Sequence, residues 1–227
     1  MSDYTACKID RSGLADYLIQ DNVNIFFILF EFIDNSYKAL LNNDQKNIEI
    51  YHNTKELLVK DNGIGIKQKD IEIIMSAFLR HDNNKSSLSL YGLGLKQSIL
   101  CFIKRKGGSG FIISSSLNKK GQKLYILVHF KLDNDNFLEY KVINISQETI
   151  NIFSKIITNT GTLIYLTENI LENNDDDDFI DKVIHIVENI DNFKIDTNSF
   201  IDETNIDLIQ KLYTNIINKK VNINYNK

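Results

Sequence analysis

A polar row interrupts an otherwise apolar helical stretch. Residues 25–30 (IFFILF) and 39–41 (ALL) flank Glu31-Phe32-Ile33-Asp34-Asn35-Ser36-Tyr37-Lys38. On a helix with about 3.6 residues per turn, Glu31, Asn35 and Lys38 point the same way. A carboxylate, an amide and an ammonium in one row cannot face an apolar core without partners. They must satisfy each other or face a polar ligand in a pocket. Any fold open to this chain has to provide partners for this polar row on a largely buried helix.

Three further motifs bear on that choice. Lys60-Asp61-Asn62-Gly63-Ile64-Gly65-Ile66 follows the apolar run Leu57-Leu58-Val59. Its glycines let the chain adopt positive φ and pass close to a bound group. An Asp-Asn-Gly turn is the structural alternative, and no acidic residues follow at calcium-loop spacing. Tyr91-Gly92-Leu93-Gly94-Leu95-Lys96-Gln97-Ser98 precedes the apolar stretch Ile99–Ile103. Glycines before a helix let backbone N–H groups point at anionic oxygens, and the helix dipole favours negative charge there. The phosphate loop Gly-x-x-x-x-Gly-Lys-Ser/Thr is absent. Thr160-Gly161-Thr162-Leu163-Ile164-Tyr165-Leu166 reads as a strand opening with a small-residue turn.

In this order, Glu-x-x-x-Asn, Asp-x-Gly-x-Gly, Gly-x-Gly-x-Lys and Gly-Thr resemble the ATP-binding domain of the gyrase, heat-shock chaperone, histidine kinase and MutL (GHKL) superfamily. The resemblance covers about residues 20 to 168. Tyr91–Ser98 and Phe32–Tyr37 look most like the Microrchidia (MORC) branch.

The resemblance implies roles. Glu31 is the general base that takes a proton from the attacking water; hydrolysing members carry Glu here, histidine kinases usually Asn. Asn35 is the Mg²⁺ ligand, sharing the ion with phosphate and water oxygens. Asp61 reads adenine, since a carboxylate accepts from the exocyclic amine and a site built on that bond rejects guanine. Gly63, Gly65 and Ile66 line the base. Tyr91, Gly92, Leu93, Gly94 and Leu95 form the phosphate lid, with Lys96 supplying compensating charge and counted with Glu31 as catalytic. Thr162 supports the adenine end through a water beside Asp61. Lys38 departs from the gyrase and MutL pattern; it either contacts a phosphate or pairs with Glu31 or Asp34 one turn away.

The cofactors implied are ATP and Mg²⁺. The activity implied is slow ATP hydrolysis that drives a conformational clamp, with an ATP-dependent homodimer formed through residues 1–11. A nucleic-acid or protein client is left unnamed. A histidine-kinase-like or serine-kinase-like phosphotransferase is the rival reading, and a nucleotide-gated module without turnover is another. Hydrolysing relatives use a transducer domain after the last motif, and the chain beyond Leu166 is short for one.

Composition excludes other classes. A net charge of −4 over 227 residues argues against a basic nucleic-acid clamp. Cys7 and Cys101 make no disulfide framework, which fits an intracellular compartment, cytoplasmic or nuclear. The N-terminus lacks a secretory pattern, and residues 25–33 are too few to cross a bilayer and contain Glu31. No histidine and cysteine spacing suggests a metal site.

Along the chain, strands are expected at Ile48–Tyr51 and Leu57–Val59 as a hairpin, then at Phe111–Ser115, Lys123–Phe130, Phe137–Ile143 and Leu163–Leu166. Helices are expected over residues 11–42, Gln68–Phe78, Gly92–Ile103, Phe179–Ile190 and Ile206–Ile217, and Gly107–Gly110 reads as a loop. Neighbouring strands favour an α+β, two-layer α/β sandwich (Bergerat-type), with a mixed, mostly antiparallel sheet and helices on one face. The expected domains are an ATP-binding domain over residues 1–170 and a helical extension over residues 171–227. Residues 77–96 are expected to act as a lid.

Overall fold

The computed structural model describes residues 25–40, 47–52, 55–75, 94–106, 108–132, 138–168, 171, 175–190 and 222–225. The expected stretches 11–24, 77–93 and 206–217 lie outside the described residues.

One seven-stranded sheet organises them, in the order β5-β4-β3-β6-β2-β1-β7. The strands are β1 (Asn47–His52), β2 (Glu56–Asp61), β3 (Ser109–Leu117), β4 (Lys123–Leu132), β5 (Leu138–Ile143), β6 (Gly161–Thr167) and β7 (Asn222–Tyr225). β1 and β2 form the expected antiparallel hairpin, with Ile50 opposite Val59. All other pairings are antiparallel except that of β7, which runs parallel to β1. The mixed, mostly antiparallel α+β architecture agrees with the sequence reading. β3 begins at Ser109, inside the stretch read as a loop.

The helices are α1 (Ile25–Ala39), α2 (Ile71–Met75), α3 (Gly94–Lys106), α4 (Gln147–Ile156) and α5 (Asp176–Glu188), with a 3₁₀ turn at Gln68–Asp70. α1 and α3 lie on one face. Their Leu29, Phe32, Ile33, Ile99 and Ile103 pack with Ile50, Val59, Ile112, Val128, Ile164 and Leu166 of the strands. The expectation of helices on one face needs correction, because α4 and α5 cover the other. Phe153, Phe179, Val183 and Val187 pack there against Leu58, Phe111, Ile113, Leu127, Leu163 and Tyr165. Phe111 stacks on Tyr165 with ring centroids 4.9 Å apart and meets Phe179 edge-on at 6.5 Å.

The physical sign of this was in the strands. A sheet covered on one side alternates apolar and polar residues, whereas Leu57-Leu58-Val59, Phe111-Ile112-Ile113 and Leu163–Leu166 are continuous apolar runs, as strands buried on both faces require. Every residue of β6 is buried.

α4 has no counterpart among the expected helices. Its signals are Ser146, whose hydroxyl caps the Thr149 N–H at 3.1 Å, and apolar Phe153 and Ile157 one turn apart. α5 opens as the acidic run suggested: Asp175 caps the Asp178 N–H at 2.9 Å, with Asp176, Asp177 and Asp178 in the first turn. Within the segment 171–227, read as a helical extension, the described residues thus add a helix to the second face and a strand to the sheet edge.

Candidate nucleotide site

The site forms where the C-terminal part of α1, the loop after β2, the start of α3 and the start of β6 converge on the α1 face of the sheet. Tertiary packing pulls the four sequence motifs together through identifiable contacts.

The loop Asp61–Ile66 closes onto the end of α1. The Ile64 N–H donates to the Ala39 carbonyl at 3.1 Å, satisfying a helix C-terminal acceptor. Asp61, 8% exposed, accepts from the Gly63 N–H at 2.8 Å and from the Ser36 hydroxyl of α1 at 3.2 Å. Burial pushes its carboxyl up to about 6, against the lowering effect of hydrogen bonds from Gly63, Ser36 and the Thr162 backbone. A carboxylate held in so dry a place retains acceptor capacity that a donor-bearing ligand can use. Gly65 has φ +72°, and a Cβ there would strike the Ser115 carbonyl, so the glycine is required both by conformation and by close approach to β3.

Strand register sets the next layer. Asp61 of β2 stands opposite Thr162 of β6, and Thr162 stands opposite Ser114 of β3. The three side chains therefore share one face and one row. Ser114 and Thr162 oxygens are 3.1 Å apart, and both residues are buried.

At the other end of the site, the Glu31 carboxylate lies directly beside Gly94, the first residue of α3. A Cβ at position 94 would overlap that carboxylate. The Glu31 carboxyl is raised above its ordinary value by burial, then by the neighbouring Asp34 charge, with Lys38 opposing. Asn35 donates its amide N–H to the Glu31 carbonyl at 2.5 Å, which leaves its Oδ1 as the atom offered to a hard cation. Such an oxygen fits a Mg²⁺ ion that draws its other ligands from phosphate and water. Lys96, in the first turn of α3 and 4% exposed, has its ammonium lowered to about 8 by burial.

The remaining expected residues sort as follows. Lys38 forms an ion pair with Asp34 at 2.5 Å, one of the two intrahelical partners expected for it. Gly63 packs tightly, since a Cβ there would approach the Ala39 Cβ to 2.7 Å. Ile66 and Leu95 are half-buried against the α1-face core. Tyr91, Gly92 and Leu93 lie outside the described residues. Two residues were not singled out from the sequence: Ser36, the partner of Asp61, and Ser114, the partner of Thr162. A signal existed for Ser114, because the run Ser114-Ser115-Ser116 is wholly buried in β3 and buried hydroxyls need partners.

Residues 23–162 match the family described as Histidine kinase-, DNA gyrase B-, and HSP90-like ATPase. The chain belongs to that family. The match spans all four motifs up to Thr162, and the α+β fold agrees with it. Domains of this ATPase family bind ATP, and the convergent residues above are the candidate nucleotide site. No curated protein matches the chain. Among solved structures, the chain is similar to one titled "Crystal Structure of N terminal domain of a DNA repair protein", at 14% identity and TM-score 0.45. That similarity covers 95% of this chain but about half, 51%, of the other. Among the described residues, no helix is long and apolar enough to cross a membrane.

Proposed function

We propose that this ATPase-family domain binds Mg–ATP between α1 and the glycine lid and hydrolyses it slowly. The observation that carries the reading is the seating of the Glu31 carboxylate against Gly94, which sets a base at the edge of the lid. In the proposed reaction a water oxygen bonds to the terminal phosphorus, its proton passes to Glu31, and the bond to ADP breaks. Burial and Asp34 raise the basicity of Glu31, which suits that task. Asn35 would hold the magnesium ion, which neutralises phosphate charge when bound with the nucleotide. Lys96 would place a cation at the start of α3, and Asp61 with Thr162 would receive the adenine amine.

Lys38 is the feature that favours phosphotransfer; it pairs with Asp34, and the carboxylate at Glu31 is what supports hydrolysis. Lid closure on ATP would create contacts that the open state lacks, so that nucleotide drives self-association. The domain then works as an ATP-gated clamp whose downstream client is a protein or a nucleic acid. Its motif spellings around Phe32–Tyr37 and Tyr91–Ser98 support placement near the Microrchidia branch.

The test combines steady-state ATP turnover with mass in solution, with and without a non-hydrolysable ATP analogue. Turnover that is magnesium-dependent and lost in Glu31→Ala, with a doubling of mass on analogue binding, is the expected result. Turnover unaffected by Glu31→Ala would overturn the base assignment, and a chain monomeric at tens of micromolar with analogue would overturn the clamp.

A further inference from the structure

Ser114 contacts three partners through one oxygen. Its Oγ lies 2.7 Å from the Ile66 N–H, 2.9 Å from the Gly161 carbonyl oxygen and 3.1 Å from the Thr162 hydroxyl. The proton count leaves a single solution. The Ile66 N–H is only a donor, so Oγ accepts from it. The Gly161 carbonyl is only an acceptor, so the one Ser114 proton goes there. Thr162 must then donate its own hydroxyl proton to the remaining lone pair of Ser114. The Thr162 oxygen is left with lone pairs alone for any further partner.

The consequence falls on Asp61. It stands opposite Thr162 in the adjacent strand, on the same face. Side chains directly opposite on antiparallel strands lie about 4.5–5.5 Å apart at Cβ, close enough to engage one small group together. Both oxygens of Asp61 already accept protein hydrogen bonds and have lone pairs to spare. The base end of the site thus presents two acceptors and no side-chain donor from this pair.

We propose that Ser114 is a positioning residue for nucleobase selectivity: by taking the Thr162 hydroxyl proton it makes the Asp61–Thr162 pair acceptor-only, so the site takes a base edge that carries an amine, directly or through a water, and rejects one that carries a carbonyl. This rests on the nucleotide reading above. It adds that selectivity resides in a three-strand relay, β2–β6–β3, and not in Asp61 alone. The same oxygen holds the Ile66 N–H, so Ser114 also ties the glycine loop to β3 and couples loop position to proton arrangement.

The test compares direct binding of ATP with that of inosine triphosphate, which has a carbonyl where adenine has its amine. In Ser114→Ala, Thr162 regains a free proton and can donate to that carbonyl. The ATP preference should narrow by about two- to tenfold, the net worth of one hydrogen bond. A purely structural role for Ser114 would weaken both nucleotides alike and leave the ratio unchanged, which overturns the proposal. Ser114→Thr keeps the hydroxyl and should keep the ratio. Should Ser114→Ala not fold, Thr162→Val against Thr162→Ser decides: the valine variant should narrow the ratio and the serine variant preserve it. Equal ratios in those two also overturn the proposal. Wild-type protein that binds neither nucleotide would instead overturn the nucleotide reading itself.

Discussion

The carboxylate of Glu31 and the backbone of Gly94 occupy adjoining space, so that no side chain fits at position 94 without displacing the carboxylate. Position 31 belongs to a core helix and position 94 to the first turn of α3, and their contact joins the catalytic candidate to the lid. Gly94→Ala should therefore impair chemistry before it impairs folding. A misplacement of a reacting group by about 1 Å costs on the order of 10²-fold in rate. We expect that loss in single-turnover hydrolysis, with thermal stability near wild type. Unaltered turnover would show that Glu31 works from elsewhere.

Glu31→Gln removes the base and keeps the shape. Turnover should fall by about 10²–10⁴-fold, while equilibrium ATP binding persists. Binding isotherms and phosphate release on the same preparation separate the two effects.

The Glu31 carboxyl is raised by burial and by Asp34, and the base must be unprotonated to act. Turnover should therefore fall with acid at a higher pH than an ordinary glutamate would set. Asp34→Asn removes one raising influence and frees Lys38, which lowers it. The acid limb of the pH–rate profile should move to lower pH in that variant. A limb that stays in place would separate Glu31 from the profile.

Asp61 gives up stability for function. Its carboxyl sits at about 6 in the folded protein against 3.8 unfolded, so the contribution is most favourable below 3.8 and is lost as pH rises through about 6. The displacement from 3.8 to about 6 corresponds to on the order of 3 kcal/mol. Asp61→Asn should be more heat-stable than wild type at pH 7.5, the difference shrinking towards pH 4, while its preference for ATP over GTP falls. A difference in Tm that is the same at both pH values would contradict the buried-charge account.

Lys96 carries its charge at a cost, with its ammonium lowered to about 8. Above that pH the free protein loses the cation, and affinity for the triphosphate should weaken. Plotting log Kd against pH should show a break near 8 in wild type, and the break should vanish in Lys96→Met. A break retained in the variant would assign it to another group.

The motifs and the class of the fold were legible in the chain because both follow from local patterns. Glu31 and Asn35 share a helix face by periodicity alone, and Asp61–Gly65 announces a close-approach loop by its glycines. The β1–β2 hairpin and the strand-rich order of elements were read from alternation and turn residues. The second helical layer is signalled only indirectly, by apolar continuity in β2, β3 and β6 that implies burial on both faces. α4 is short, and its clearest local signal is the Ser146 cap.

Other features were beyond local reading. Nothing along the chain relates Ser36 to Asp61 or Ser114 to Thr162, because those partners are separated by 25 and 48 residues and meet only through helix docking and strand register. Register also decides which hydroxyl donates and which accepts, a property of three strands and of none singly. The sequence by itself determined which chemical groups the site contains, through the periodicity and glycine spacing that order them. Only the tertiary structure decided how dry those groups are and which neighbours they touch, because burial and proton sharing depend on what the rest of the chain packs around them.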